Sequence, residues 1–175
     1  MSWRLAQAVS TLHRGGLIAY PTEAVWGVGC DPFNPTAVAR LLALKRRPVA
    51  KGLILVMADL SMLGEVHAQL NSDLQHRLAK ATDHTTSVNP ASYTPTTWLV
   101  PHNGLIPDWI CGEHASVAVR CSRHPLVRAL CEAFGGMIVS TSANPTSFAA
   151  AKTQLQARRY FGSGIDCYLS GSTGA

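Results

Sequence analysis

No apolar run in the sequence approaches the roughly 20 residues that span a bilayer, so no membrane helix is predicted. The five cysteines, Cys30, Cys111, Cys121, Cys131 and Cys167, include no C-x-x-C pair. A zinc finger or dithiol redox site gains no support from them, and reduced, buried thiols are expected. The P-loop pattern G-x-x-x-x-G-K-[ST] and the dinucleotide fingerprint G-x-G-x-x-G are both missing; Gly27 and Gly29 supply only G-x-G. There is no G-x-S-x-G elbow, and the seven histidines are scattered without ligand spacing. Charged residues are few, 14% against 47% hydrophobic, which describes a packed globular chain and excludes a disordered one. Its 175 residues predict one domain over 1–175. The opening MSWRLAQAVSTLHRGG lacks the apolar core of a secretory signal, so a cytoplasmic protein is expected.

What charge there is leans positive. Fifteen Lys and Arg face ten Asp and Glu, and eleven of the fifteen are arginine, whose planar fork suits phosphate and carboxylate. An anionic partner, nucleotide or RNA, fits that balance.

Helical and strand patterns alternate along the chain. Leu5, Val9 and Leu12 share one helical face over residues 2–14, with Ser2 as cap and Gly15-Gly16 as stop. Leu17–Tyr20 reads as a strand buried on both faces, and Pro21 ends it. Gly27 and Gly29 then let the following loop turn or approach a ligand. Asn34-Pro35 opens a helix with Val38, Leu41 and Leu42 inward. Leu53–Met57 is a second strand, and residues 60–68 and 72–80 read as helices capped by Asp59 and Ser72. Residues 81–95 read as a long loop. Strands follow at 96–100, 116–120 and 137–139, with a loop over 101–115 and a helix opened by His124-Pro125. A last helix (153–161) and strand (165–169) complete an α/β pattern. Connections without helices predict a mixed sheet.

Polar groups recur where these strands end: Thr22 after the first, Arg120 at the end of a later one, and Ser140, Ser142 and Asn144 at and after another. Ligands of open α/β sheets bind in crevices outside strand ends. The cations Lys45, Arg46, Arg47 and Lys51 fall within seven residues. A helix end accounts for one or two of them, but not for Lys51 beyond Pro48. We expect this cluster and the Thr22 loop to face one pocket, phosphates on the cationic side and a small polar substrate beside Thr22.

In order, the chain carries Y-P-T-E-A-V-W-G-V-G-C-D (20–31), L-K-R-R-P (44–48), K-G-L-I (51–54), S-V-A-V-R (116–120) with H-P-L (124–126), and S-T-S-A-N (140–144). Together these resemble the YrdC/TsaC family of threonylcarbamoyl-AMP synthases over about residues 3–174. The resemblance implies a single YrdC-like domain, a twisted mixed sheet with flanking helices and a basic concave cavity. It implies synthesis of threonylcarbamoyl-AMP from L-threonine, bicarbonate and ATP with release of diphosphate. That adenylate serves t⁶A modification of adenosine 37 in tRNAs reading ANN codons, with partner proteins of the t⁶A machinery performing the transfer. By the family's motifs, Lys45 and Arg47 are the catalytic, phosphate-holding pair. Lys51, Thr97, Arg120, Ser140, Ser142 and Asn144 are further ATP contacts. Thr22 contacts threonine, a role open to Arg120 as well. Mg²⁺ is expected with ATP, carried by the phosphates. Of the family's W-P-G-P-x-T, residues 92–97 keep Pro95 and Thr97. A second reading is a non-catalytic module using the same basic cavity for tRNA or other double-stranded RNA. The concentration of cations beside hydroxyl-bearing turns favours the small-molecule pocket.

Overall fold

The computed structural model describes residues 2–82 and 95–174. Seven strands form one mixed sheet: β1 (Ile18–Pro21), β2 (Trp26–Gly29), β3 (Ile54–Met57), β4 (Trp98–Pro101), β5 (Ser116–Cys121), β6 (Ile138–Ser142) and β7 (Cys167–Tyr168). Their order across the sheet is β4-β5-β3-β6-β2-β1-β7. Two neighbouring pairs, β1/β7 and β3/β5, run parallel, and the other four run antiparallel.

Strand alternation sends side chains to two faces with a period of two, and each face has its own core. Ala19, Val28, Leu55, Val119 and Val139 point to one layer. That layer is closed by α2 (Pro35–Lys45), α3 (Glu65–Ala68), α4 (Ser72–Thr82), α5 (Asp108–Cys111) and α7 (Gln154–Phe161). Ile18, Tyr20, Val56 and Ile138 point the other way, against α1 (Trp3–His13) and α6 (Pro125–Phe134). On β5 the burial alternates strictly: Val117, Val119 and Cys121 are buried, while Ser116, Ala118 and Arg120 on the opposite face are only partly covered. The α1–α6 layer stops short of this part of the sheet and leaves a floor open.

The caps explain several helix starts. Ser2 accepts from the Leu5 amide and Asn34 from the Ala37 amide, each satisfying a first-turn donor. At α4 the cap is Asn71, whose Oδ1 accepts from the Leu74 amide, and not Ser72. The helix expected over 60–68 is a 3-10 turn at Leu60–Leu63, then α3, divided by Gly64 at φ 51°. The loop expected from residue 81 begins later, because α4 runs through Thr82; residues 83–94 of that expected loop lie outside the described residues.

The largest correction concerns Gly27 and Gly29, which belong to β2, not to a loop. The hairpin pairs Tyr20 with Gly27 and Ile18 with Gly29. Tyr20 is fully buried, and its ring lies across both glycines: a Cβ on Gly27 would sit 3.5 Å from the ring and one on Gly29 3.2 Å. The missing side chains make room for the aromatic ring, a cross-strand arrangement that a glycine-rich strand uses to recover packing.

Candidate functional site

Where the α1–α6 layer ends, Thr22 after β1, Gly27 on β2, Ser140 and Ser142 on β6, and Arg120 on β5 line one cavity of about 310 Å³, and Arg47 reaches in from beyond α2. Gly27, Ser140, Ser142 and Arg120 share one face of the sheet, opposite Val28, Val139 and Val119. The expected convergence of the Thr22 loop with the cations therefore holds for Arg47.

It does not hold for the whole cluster. Arg46 ends α2 in the left-handed region, at φ 51°, which reverses the chain at once. Arg47 then folds back, donating from Nε and Nη2 to the Gly52 carbonyl at 3.2 and 2.9 Å. Lys51 lies on a second cavity of about 500 Å³ that also takes in Ser116, Ala118 and His114. Arg47, Leu53 and Ile54 line both cavities, so Arg47 stands at their junction.

Lys45 is 4% exposed and lies outside the set of residues lining either cavity. Its ammonium donates to the carbonyls of Ser142 and of Asn144, the latter at 2.9 Å. In return the Thr146 hydroxyl donates to the Lys45 carbonyl at 2.8 Å. The end of α2 is thus sewn to the turn that follows β6. Burial first, and Arg47 second, pull the Lys45 ammonium down to about 8. Two of its three N–H donors have partners among the described residues.

Arg120 is held by Thr97, whose hydroxyl accepts from Nε at 3.0 Å and from Nη2 at 2.7 Å. Thr97 is not a lining residue of either cavity; its contact is with the arginine. Asn144 stays within its own turn. Its Nδ2 donates to the Phe148 carbonyl at 2.6 Å, and its Oδ1 is buried without a partner among the described residues. The Thr22 hydroxyl donates to the Val25 carbonyl at 2.7 Å, which leaves its oxygen lone pairs as acceptors.

Three residues of the site were not singled out as ligand contacts from the sequence. Glu23 lines the first cavity, where its Oε1 accepts from the Ser122 hydroxyl at 2.6 Å and from the Arg123 amide at 3.1 Å. Ser122 lines it too, and Ser116 lines the second cavity. The signal was parity: Ser116 and Ser122 stand four before and two after Arg120, on the face that Arg120 already marked. Ser92 to Thr94, where the chain departs from W-P-G-P-x-T, lie outside the described residues.

The family model for Sua5/YciO/YrdC, described as telomere recombination, matches residues 10–175. The chain belongs to the Sua5/YciO/YrdC family. This Sua5/YciO/YrdC member is 49% identical over 178 residues to the threonylcarbamoyl-AMP synthase of Saccharophagus degradans, covering 99% of the chain and 87% of that protein. Among solved structures, P. abyssi Sua5 complexed with L-threonine is similar at a TM-score of 0.82 and 28% identity, over 98% of the chain. The match spans 47% of that Sua5, so the chain corresponds to about half its length. E. coli YciO shares the fold, with a TM-score of 0.76 at 23% identity, over 97% of the chain and 79% of YciO. Within the described residues, no helix is long and apolar enough to cross a membrane.

Proposed function

We propose that this protein is a threonylcarbamoyl-AMP synthase, which joins L-threonine, bicarbonate and ATP and releases diphosphate. The observation that carries the reading is the junction at Arg47. A small cavity holding Thr22, Arg120 and Ser140 opens there onto a larger one holding Lys51 and Ser116. At about 310 Å³ the first lies at the lower end of the ~300–1,000 Å³ typical of ligand pockets. It suits the amino acid, and the second suits the nucleoside part of ATP.

In this arrangement Thr22, Arg120 and Ser140 meet threonine, with Thr97 keeping the Arg120 guanidinium in place. Arg47 and Ser142 meet the phosphates at the junction, and Lys51 and Ser116 line the way to the nucleoside. Lys45 adds its charge and one remaining N–H from beneath, while fixing the Ser142–Asn144 turn; Asn144 shapes that turn. The reaction brings together two anions. The carbamate oxygen forms a bond to the α-phosphorus, and the α–β bridging bond breaks with its electron pair leaving on diphosphate. Cations fixed before reaction lower that barrier without reorganisation.

Magnesium enters as part of the ATP substrate. Glu23, the one carboxylate on the first cavity, is already accepting from Ser122 and Arg123. No group of three or more His, Cys, Asp or Glu among the described residues could hold a metal ion. The adenylate would pass to the t⁶A-transfer proteins for modification of adenosine 37 in tRNAs reading ANN codons, in the cytoplasm.

The test is a diphosphate-release assay on the pure folded protein, with mass-spectrometric detection of the adenylate. Product that requires threonine, bicarbonate and ATP together is expected. Absence of any threonine-dependent adenylate, with salt-sensitive RNA binding in its place, would establish the RNA-module reading instead.

A further inference from the structure

Resting on the synthase reading above, we infer that Glu23 receives the amino group of threonine and acts as the base that takes its protons. Threonine arrives with a cationic amine at neutral pH, and a nitrogen must shed its proton before its lone pair can attack carbon. Most of the polar groups on the first cavity suit an anion. Arg47 and Arg120 are donors only. The hydroxyls of Ser122, Ser140, Thr141 and Ser142 can donate or accept. Among the described residues lining this cavity, Glu23 is the one anionic acceptor, and beside it the Thr22 oxygen, its proton committed to Val25, accepts as well. They are adjacent in sequence and line the same cavity. Charge complementarity therefore sets an α-amino acid with its amine at Thr22–Glu23 and its carboxylate on the arginine side, where Arg120 is held in place by Thr97.

The carboxylate is built to stay put. Oε1 takes the Ser122 hydroxyl and the Arg123 amide, while Oε2 takes no hydrogen bond from any described residue. Ser122 is itself fixed, its oxygen accepting from the His124 amide at 3.2 Å. His124 caps α6 and contacts the Ser172 carbonyl through Nε2 at 3.0 Å. One oxygen is anchored through this chain of contacts and the other is left for a ligand. The charged and titratable groups around Glu23 are Tyr20 on β1, Arg47 beyond α2, Arg120 on β5, and Arg123 and His124 between β5 and α6.

Glu23 takes one proton from the ammonium and gives it to the hydroxyl of bicarbonate, which leaves as water and frees CO₂. The amine lone pair forms the C–N bond as one C=O electron pair moves onto oxygen. The second proton on nitrogen goes to Glu23 and from there to solvent, leaving the carbamate anion. One ammonium and one bicarbonate become one carbamate, one water and one released proton.

The experiment compares wild type with Glu23→Gln, which keeps an acceptor for Ser122 and Arg123 but cannot take a proton. Calorimetric binding of L-threonine and of ATP is measured first, then kcat/KM for threonine from about pH 7 to about pH 9.5. Threonine affinity at pH 7 is expected to fall at least about tenfold and kcat/KM about 100-fold, with ATP affinity unchanged. The kcat/KM deficit is expected to shrink towards high pH, where the amine is already neutral. Unchanged threonine affinity, or a deficit constant across that range, overturns the inference. If wild type turns nothing over, the synthase reading fails, and threonine binding still decides the amine contact by itself. Should Glu23→Gln not fold, Glu23→Asp keeps the base on a shorter arm. Reduced kcat with the wild-type pH profile is then the expected result, and a full-rate Asp variant with an altered profile overturns the inference.

Discussion

The Lys45 ammonium lies 2.9 Å from the carbonyl oxygen of Asn144, joining the end of α2 to the turn beyond β6. Lys45 is buried, and burial together with Arg47 holds the ammonium down at about 8.

If the proposed synthase reading holds, this sets a pH limit on ATP binding. The protonated form is the one that attracts phosphate, so its contribution is complete well below about 8, half lost there, and gone at higher pH. ATP affinity is expected to fall about tenfold between about pH 7 and about pH 9.5, through loss of a positive charge beneath the phosphates and of its hold on the Ser142–Asn144 turn. Lys45→Met should bind ATP more weakly at pH 7 and show a flat profile over the same range. Titration calorimetry at several pH values reads both.

Thr97→Val removes the oxygen that holds two nitrogens of Arg120. An unfixed guanidinium still carries its charge but loses its orientation. KM for threonine is expected to rise about tenfold, with stability lower by about 1 kcal/mol. ATP affinity should be unaffected, and separate titrations of the two substrates check this.

The two glycines of β2 separate fold from function. A Cβ on Gly29 would lie 2.1 Å from the Val139 carbonyl oxygen, a backbone atom fixed in the sheet. Gly29→Ala should therefore cost about 3 kcal/mol or prevent folding. A Cβ on Gly27 would meet side chains instead, Thr22 at 3.2 Å and Ser140 at 3.3 Å. Gly27→Ala is expected to fold with a loss of about 1 kcal/mol and to weaken threonine binding about tenfold by narrowing the first cavity. Thermal melts and threonine titration separate the two outcomes.

Division of the substrates between the cavities is tested by filling one of them. Ser116→Phe places a ring in the second cavity, far along β5 from Arg120. ATP affinity should fall by at least about tenfold while threonine binding persists, because bulk in an otherwise open pocket excludes only the ligand that uses it. Loss of both would place threonine in the second cavity as well.

Much of this was legible in the amino-acid order because the signals are local. Asn34-Pro35 opens α2 by capping its own first turn, and β5 declares two faces by alternation. Thr22, Arg120 and Ser140 could be placed as strand-end residues for the same reason. β2 was hidden because its pattern is completed by the ring of Tyr20 on another strand. The split of the cations was hidden too. It depends on the left-handed turn at Arg46 and on Lys45 meeting a turn from the far end of the chain, relations that no short window contains. Nothing local marks Glu23 as anchored either, since its partners Ser122 and Arg123 come from beyond β5.

The strict alternation along β5 has a further consequence. Ser116, Ala118 and Arg120 form the floor of the two cavities, while Val117, Val119 and Cys121 belong to the core on the reverse. From 116 to 120 the strand advances about 13 Å, so a single rigid strand acts as a ruler along which, on the proposed reading, two substrates would be laid end to end. Insertion of one residue would push the ruler's markings into the core and the core's valines into the ligands. Evolution can retune what binds here by exchanging even-numbered side chains, but it cannot slide the scale.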